Sequence, residues 1–188
     1  DAPGFLSPLT EEHADSWLKY LMSWFYSCDA KRIGIMYITF AGVMGTVGMI
    51  LSIMIRAELA SPGLDLRSDE FYLTLPGMHA SAMIFFYIIP IYAGFANLIM
   101  PIQVGAPDMA FPRLNLAAFW ILPMAAIFAL SGYFVDSWPQ FVWTAYPPLS
   151  NSVYSPQIGA DLWLIGVILV GTSSTMGAVN FLSTAFNM

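Results

Sequence analysis

Four long apolar runs dominate the chain, at about 33–55, 75–102, 116–134 and 161–186. Each is near the ~20 residues needed to cross the hydrocarbon core of a bilayer. They predict an all-α fold: a polytopic transmembrane bundle of four spanning helices. Small residues recur in the first run (Gly42, Gly45, Gly48, Ser52) and the fourth (Gly171, Ser173, Ser174, Gly177). Such residues let helices approach closely in lipid. Pro76, Pro90 and Pro101 are expected to bend or end the second run, because proline removes a backbone donor and clashes with the preceding turn.

The first 30 residues are polar to amphipathic. Thr10, Glu11 and Glu12 read as a helix start, with a hydroxyl cap followed by acids at the positive end of the dipole. Trp17, Leu18, Leu21, Met22, Trp24 and Phe25 then recur at helical spacing. A core helix and an interfacial helix both fit this pattern, and the tryptophans favour the interface. The organisation expected is an amphipathic segment over 1–30 and a membrane part over 31–188. "QVGAPDMAFPR" joins the second and third runs. Residues 135–160, containing "SWPQFVWTAYPPL", read as a structured interfacial loop. There is no internal repeat, low-complexity tract or separate soluble domain.

Composition sharpens the membrane reading. The chain is 58% hydrophobic and 10% charged, against roughly 45–50% and about 25% for soluble domains. The net charge of −6 comes from few residues, nearly all outside the apolar runs. No basic patch exists to bind nucleic acid. Lys19, Lys31, Arg32 and Arg113 fall on one side of the membrane, and Arg56 and Arg67 on the other. That excess puts the N-terminus on the cytoplasmic or matrix side. No secretory signal is seen, and a start at Asp1 with an end at the edge of an apolar run suggests a processed chain or part of a longer one. Cys28 is the only cysteine, which leaves no internal disulfide and no thiolate cluster for a metal.

Metal chemistry must therefore use histidine, carboxylate, methionine or backbone oxygen. Of the two histidines, His13 lies in the polar N-terminal region and His79 well inside the second run. An intramembrane ionisable residue is a functional candidate, and neutral imidazole is a good ligand for haem iron. The plainer alternative is a histidine hydrogen-bonded between helices. Arg56, at the outer end of the first run, reads as a snorkelling anchor or as a cation set against a cofactor edge. Asp108, Asn97, Asn115, Asn180, Ser173, Ser174 and Tyr37 either line one wet path or are ordinary helix-end polarity and packing. Glu58 and Gly63 suit a hard-cation loop or a solvated turn.

Five segments in order, "IRAELASPG", "GMHASAMIFFYIIP", "GFANLIMPIQVGAPDMAFPRLN", "WTAYPPL" and "SSTMGAVNF", resemble subunit I of haem-copper terminal oxidases. The branch is the one that includes mitochondrial and many bacterial cytochrome c oxidases. The resemblance runs from about residue 33 to the end. It implies that His79 is an axial ligand of a low-spin haem, expected to be haem a. Ser52, Arg56, Tyr72 and Trp143 match positions near that haem. Asp108 matches the entrance of the D-type proton channel, and Asn97, Asn115, Tyr37, Ser173, Ser174 and Asn180 match residues along it. Glu58 and Gly63 match an outer-loop calcium or sodium site.

The chain also departs from the family. The residues usually reading Asn-His-Lys-Asp before the first span are here Asp29, Ala30, Lys31 and Arg32, and a histidine common in the fourth span is Ile168. Quinol-oxidising relatives carry an arginine and an aspartate facing lipid on the first span. The matching Val47 and Leu51 are apolar, which points to cytochrome c as donor. The family subunit has roughly a dozen spans of about 20 residues, so the four here form part of a larger twelve-helix subunit. The second low-spin ligand and the ligands of the high-spin haem and copper are implied to lie in later helices. The partners implied are the rest of subunit I, a copper-carrying subunit II, subunit III and lipid, in a bacterial or archaeal plasma membrane or mitochondrial inner membrane. Competing readings are a quinol oxidase, a nitric-oxide-reducing relative, a haem-carrying electron-transfer subunit without oxygen chemistry, and an assembly subunit without cofactor.

Overall fold

The computed structural model describes the backbone of residues 11–60, 62–63, 69–132, 134–135 and 137–188, and side chains within those stretches except 11–16 and 69–70. The expected Thr10 cap and the surroundings of His13 lie outside the described residues. Every regular element among those described is helical: α1 (Glu11–Phe25), α2 (Ala30–Glu58), α3 (Asp69–Ser81), a π-helical segment (Ala82–Ile88), α4 (Ile89–Val104), α5 (Pro112–Ser131) and α6 (Ile158–Asn187). Four stretches are long and apolar enough to cross a membrane: Ala30–Glu58, Phe71–Val104, Pro112–Ser131 and Ile158–Asn187.

Each span starts and stops for a local reason. Asp29, in extended conformation, caps α2 by accepting from the Lys31 N–H at 2.9 Å. The second span ends at Gly105, whose left-handed φ of 75° lets the Ala106 N–H reach back to Pro101 O at 2.8 Å. The third span begins at Pro112, earlier than the expected 116, because proline suits the first helical turn. It stops at Ser131 rather than 134. There Gly132 and Gly159 both lie against the Ser137 carbonyl, so the loop following α5 packs directly on the ends of α5 and α6.

The prolines do not end the second span. Pro90 has no N–H to give the Phe86 carbonyl. Just upstream the winding widens, and the Ile89 N–H reaches five residues back to Ile84 O. Buried positions follow the change: Ala82, Phe86, Pro90 and Gly94 are four apart. In a regular α-helix each such step overshoots a full turn by about 40°. The π segment absorbs that drift, so the inward stripe continues to Asn97 and Pro101.

The most extensive helix contact is α5 with α6, and α2 packs along α3, the π segment and α4. Two apolar clusters result. One joins Ile33, Tyr37 and Met44 of α2 to Phe86, to Phe119 and Leu122 of α5, and to Val170 of α6. The other joins Leu51, Phe71, Leu75 and Met78 to Phe141 of the long loop and Trp163 of α6. α1 enters neither. Its Trp17, Leu18, Leu21, Met22 and Phe25 are exposed. Its end is tied to the bundle by Trp120, which stacks on Phe25 at 5.2 Å and donates its indole N–H to Phe25 O at 3.1 Å.

Candidate functional site

His79 lies in the last turns of α3, part-buried, with Nδ1 2.8 Å from Gly48 O of α2. A carbonyl only accepts, so Nδ1 carries the hydrogen and the neutral ring presents Nε2 as its lone-pair nitrogen. Histidines that ligate metals are oriented in this way, by a bond from the other ring nitrogen. The approach of the two spans depends on glycine. A Cβ at Gly48 would run into Sδ of Met83, and one at Gly45 would lie 2.8 Å from the Tyr87 ring. Both readings of His79, interhelical bond and ligand, are thus compatible, because the bond uses one nitrogen and leaves the other.

Ser52 and Arg56 follow Gly48 at four-residue intervals, which puts them on one stripe of α2. Arg56 is exposed near the helix end, where it complements the negative end of the dipole. Trp143, from the long loop, meets the Phe85 ring of the π segment edge-on at 6.2 Å. Tyr72 is half-buried against the second apolar cluster. Glu58 closes α2, and Gly63 has a left-handed φ of 77°. No group of three or more His, Cys, Asp or Glu side chains that could hold a metal ion occurs among the described residues.

A second set of polar groups gathers at the other end of the spans. Asp108 accepts from the Ala30 N–H at 3.2 Å and the Met109 N–H at 2.7 Å, which fastens its loop to the start of α2. From α6, Asn180 accepts from the Phe111 N–H at 2.8 Å and Thr184 from the Ala110 N–H at 3.0 Å. Asn115 donates to Asn97, which donates to Ala93 O at 2.9 Å. Three buried amides from α4, α5 and α6 therefore lie behind the Asp108 loop. Asn115 Oδ1 and Asn180 Nδ2 have no protein partner among the described residues. Leaving such groups dry costs about 1–3 kcal/mol each, so the spot suits water. Further along is a cavity of about 520 Å³ lined by Tyr37, Ser173, Ser174, Tyr92 and apolar residues. Ser173 donates to Ala118 O at 2.7 Å.

The backbone partners Gly48 O and Ala30 N, and the side chains of Thr184 and of Met109, whose Sδ accepts from the Thr184 hydroxyl at 3.8 Å, were not among the expected site residues. Thr184 follows Asn180 by one helical turn, and that spacing was the available signal.

A family model described as cytochrome C and quinol oxidase polypeptide I matches residues 32–188. The chain belongs to this family. With its four apolar helices, this makes the chain an integral membrane protein. The family implies haem and copper as cofactors in general. The chain is 40% identical over 169 residues to a probable cytochrome c oxidase subunit 1-alpha of Streptomyces coelicolor, covering 89% of this chain and 29% of that relative. It is 42% identical over 166 residues to a probable cytochrome c oxidase subunit 1-beta of Nocardia farcinica, covering 88% and 28%. Against the cytochrome c oxidase subunit 1 of Corynebacterium efficiens it is 40% identical over 184 residues, covering 96% and 32%. The chain thus spans about a third of the length of these polypeptide I relatives.

Proposed function

We propose that this chain supplies the first four spans of the catalytic subunit of a proton-pumping cytochrome c oxidase. The observation that carries the reading is the His79–Gly48 bond, which takes up Nδ1 and leaves Nε2 as the ring nitrogen available to a ligand. His79 would hold a low-spin haem, which supplies one-electron transfer when bound. Ser52, Arg56, Tyr72 and Trp143 would border it, with Arg56 placing a cation near its edge. The second axial ligand, the high-spin haem and the copper would be held outside this chain, which reduces no oxygen alone.

Asp108 would receive protons at the cytoplasmic or matrix side and pass them toward Tyr37, Ser173 and Ser174. The loop anchors at Ala30, Asn180 and Thr184 would hold its carboxylate in place. The amides of Asn97, Asn115 and Asn180, with water between them, fit the narrow part of such a path, and the 520 Å³ cavity fits its wider continuation. Glu58 and Gly63 would contribute to an outer calcium or sodium site. The partners proposed are the remainder of subunit I, the copper-carrying subunit II and subunit III. The quinol reading is disfavoured at the positions matching a lipid-facing head-group site: Leu51 is buried, and Val47 packs against the same core cluster. Cytochrome c is therefore the proposed donor.

The test is made on the complex assembled around this chain. His79→Ala is expected to abolish the low-spin haem absorption band, and retention of that band would sink the ligand assignment. Asp108→Asn is expected to slow turnover by at least tenfold with loss of proton pumping, the scale of losing a positioned acid–base group being about 10²–10⁴-fold at most. Unchanged proton uptake in that variant would refute the channel.

A further inference from the structure

The second span is gripped from two opposite sides where its winding changes. On one side, His79 Nδ1 donates to Gly48 O of α2. Two residues later, Ser81 accepts from the indole N–H of Trp163 on α6 at 3.0 Å. The same hydroxyl donates to Gly77 O, one turn back, at 2.8 Å. Two positions on an α-helix stand about 200° apart around the axis. The two interhelical bonds therefore hold opposite faces of the last turn of α3.

The second bond is set in a rigid place. Ser81 is 2% exposed and Trp163 is 5% exposed. A buried indole N–H requires a partner, and Ser81 is the one it has. Its ring packs edge-on against Phe141 at 5.1 Å. The Phe141 carbonyl in turn lies over Gly77, 2.7 Å from where a Cβ would stand. The Ser81 hydroxyl is engaged both as donor and as acceptor, so its rotor is fixed. The π segment begins at the next residue, Ala82. Its wider turns are a common accompaniment of functional sites, and they leave the end of α3 without a regular α-helical continuation. A helix end tethered through one side chain can roll about its axis. A tether on the opposite face stops the roll.

We propose that Ser81 and Trp163 are positioning residues for His79: their bond to α6 fixes the rotation of α3 and thereby the plane and direction of the imidazole. The inference rests on the reading of His79 as a haem ligand. It assigns to Trp163 a role in tuning that haem, through the orientation of its ligand and without touching it.

The experiment uses the oxidase complex assembled around this chain. Ser81→Ala removes the hydroxyl with almost no change in volume, Ser81→Thr keeps the hydroxyl, and Trp163→Phe removes the indole N–H. The readouts are the absorption maximum, the electron-paramagnetic g-values and the midpoint potential of the low-spin haem. Ser81→Ala and Trp163→Phe are expected to shift these in the same direction. The double variant is expected to shift them no further than the larger single change, as for two members of one interaction, and Ser81→Thr should retain the native signature. A native signature in assembled Ser81→Ala overturns the inference, as does a double variant whose shift is the sum of the two. If Trp163→Phe does not assemble, the Ser81 pair alone decides. His79→Ala separates the two levels. Loss of the low-spin haem there, with native spectra in Ser81→Ala, overturns this inference alone. Persistence of the haem removes the ligand reading and this inference with it.

Discussion

At Gly48 a hydrogen in place of a methyl group leaves the room that the Met83 thioether fills between two spans. The residue is buried, its carbonyl holds His79, and Met83 occupies the space a Cβ would need. Gly48→Ala should drive the Met83 thioether into another rotamer beside His79, at an overpacking cost of about 1–3 kcal/mol. The expected outcome is a lower thermal midpoint of the assembled complex together with a displaced low-spin haem band. A variant with native midpoint and native band would show that the close approach is dispensable. In the sequence His79 stood out as an ionisable side chain inside an apolar run, the three asparagines as polar groups at or near run ends, and Asp108 as an acid in the short connecting loop. Their partners did not, because Gly48 O, Ala30 N and Phe111 N are backbone groups that every residue carries. Only the folded geometry singles them out.

Elements were legible where hydrophobicity is continuous, and less so where proline and loops intervene. All four spans lie where the apolar runs predicted them, yet Pro90 changes the winding of the second instead of ending it. The cause is spatial: neighbouring helices cover the loosened turns, with Phe86 of the π segment buried in the first core cluster. α1 shows the same dependence on partners. Its amphipathic pattern allowed a core helix, but most of its described apolar side chains are exposed, and only its last turn is tied to the bundle, by Trp120 and Arg32. Trp120→Phe removes the N–H···O bond to Phe25 and weakens the stacked pair. Together these contribute about 1–2 kcal/mol. Protease cleavage between α1 and α2, measured on protein in lipid nanodiscs, should accelerate by at least fivefold while the spans stay protected. Equal cleavage rates would mean that other anchors suffice, among them Arg32, which donates to Ser23 Oγ at 3.2 Å and lies over the Trp24 ring.

For the whole molecule the question is which flank faces lipid and which meets other helices. The cavity lined by Tyr37, Ser173, Ser174, Tyr92 and Ala178 opens on the flank formed by α2, α4 and α6. Its lining is mostly apolar but includes the hydroxyls of Tyr92 and Ser174, and hydroxyls lacking partners against hydrocarbon cost several kcal/mol. The outward face of α5 is different: Met124, Ile127 and Phe128 are exposed there, and all are apolar. The relatives extend well beyond the matched third, and the remainder of subunit I proposed as a partner would cover the first flank. Cysteines introduced at Ala178 and at Ile127, in a background with Cys28→Ser, separate the two environments. A spin label at Ile127→Cys should relax strongly with dissolved oxygen, which concentrates in the hydrocarbon. A label at Ala178→Cys in the assembled oxidase should be shielded from oxygen and immobilised by neighbouring helices. The same label on this chain alone in nanodiscs should regain mobility and oxygen contact. Oxygen exposure at Ala178 equal to that at Ile127 in the assembled complex would place lipid, not protein, against the cavity, and the proposed proton path would then have to be closed by this chain's own helices.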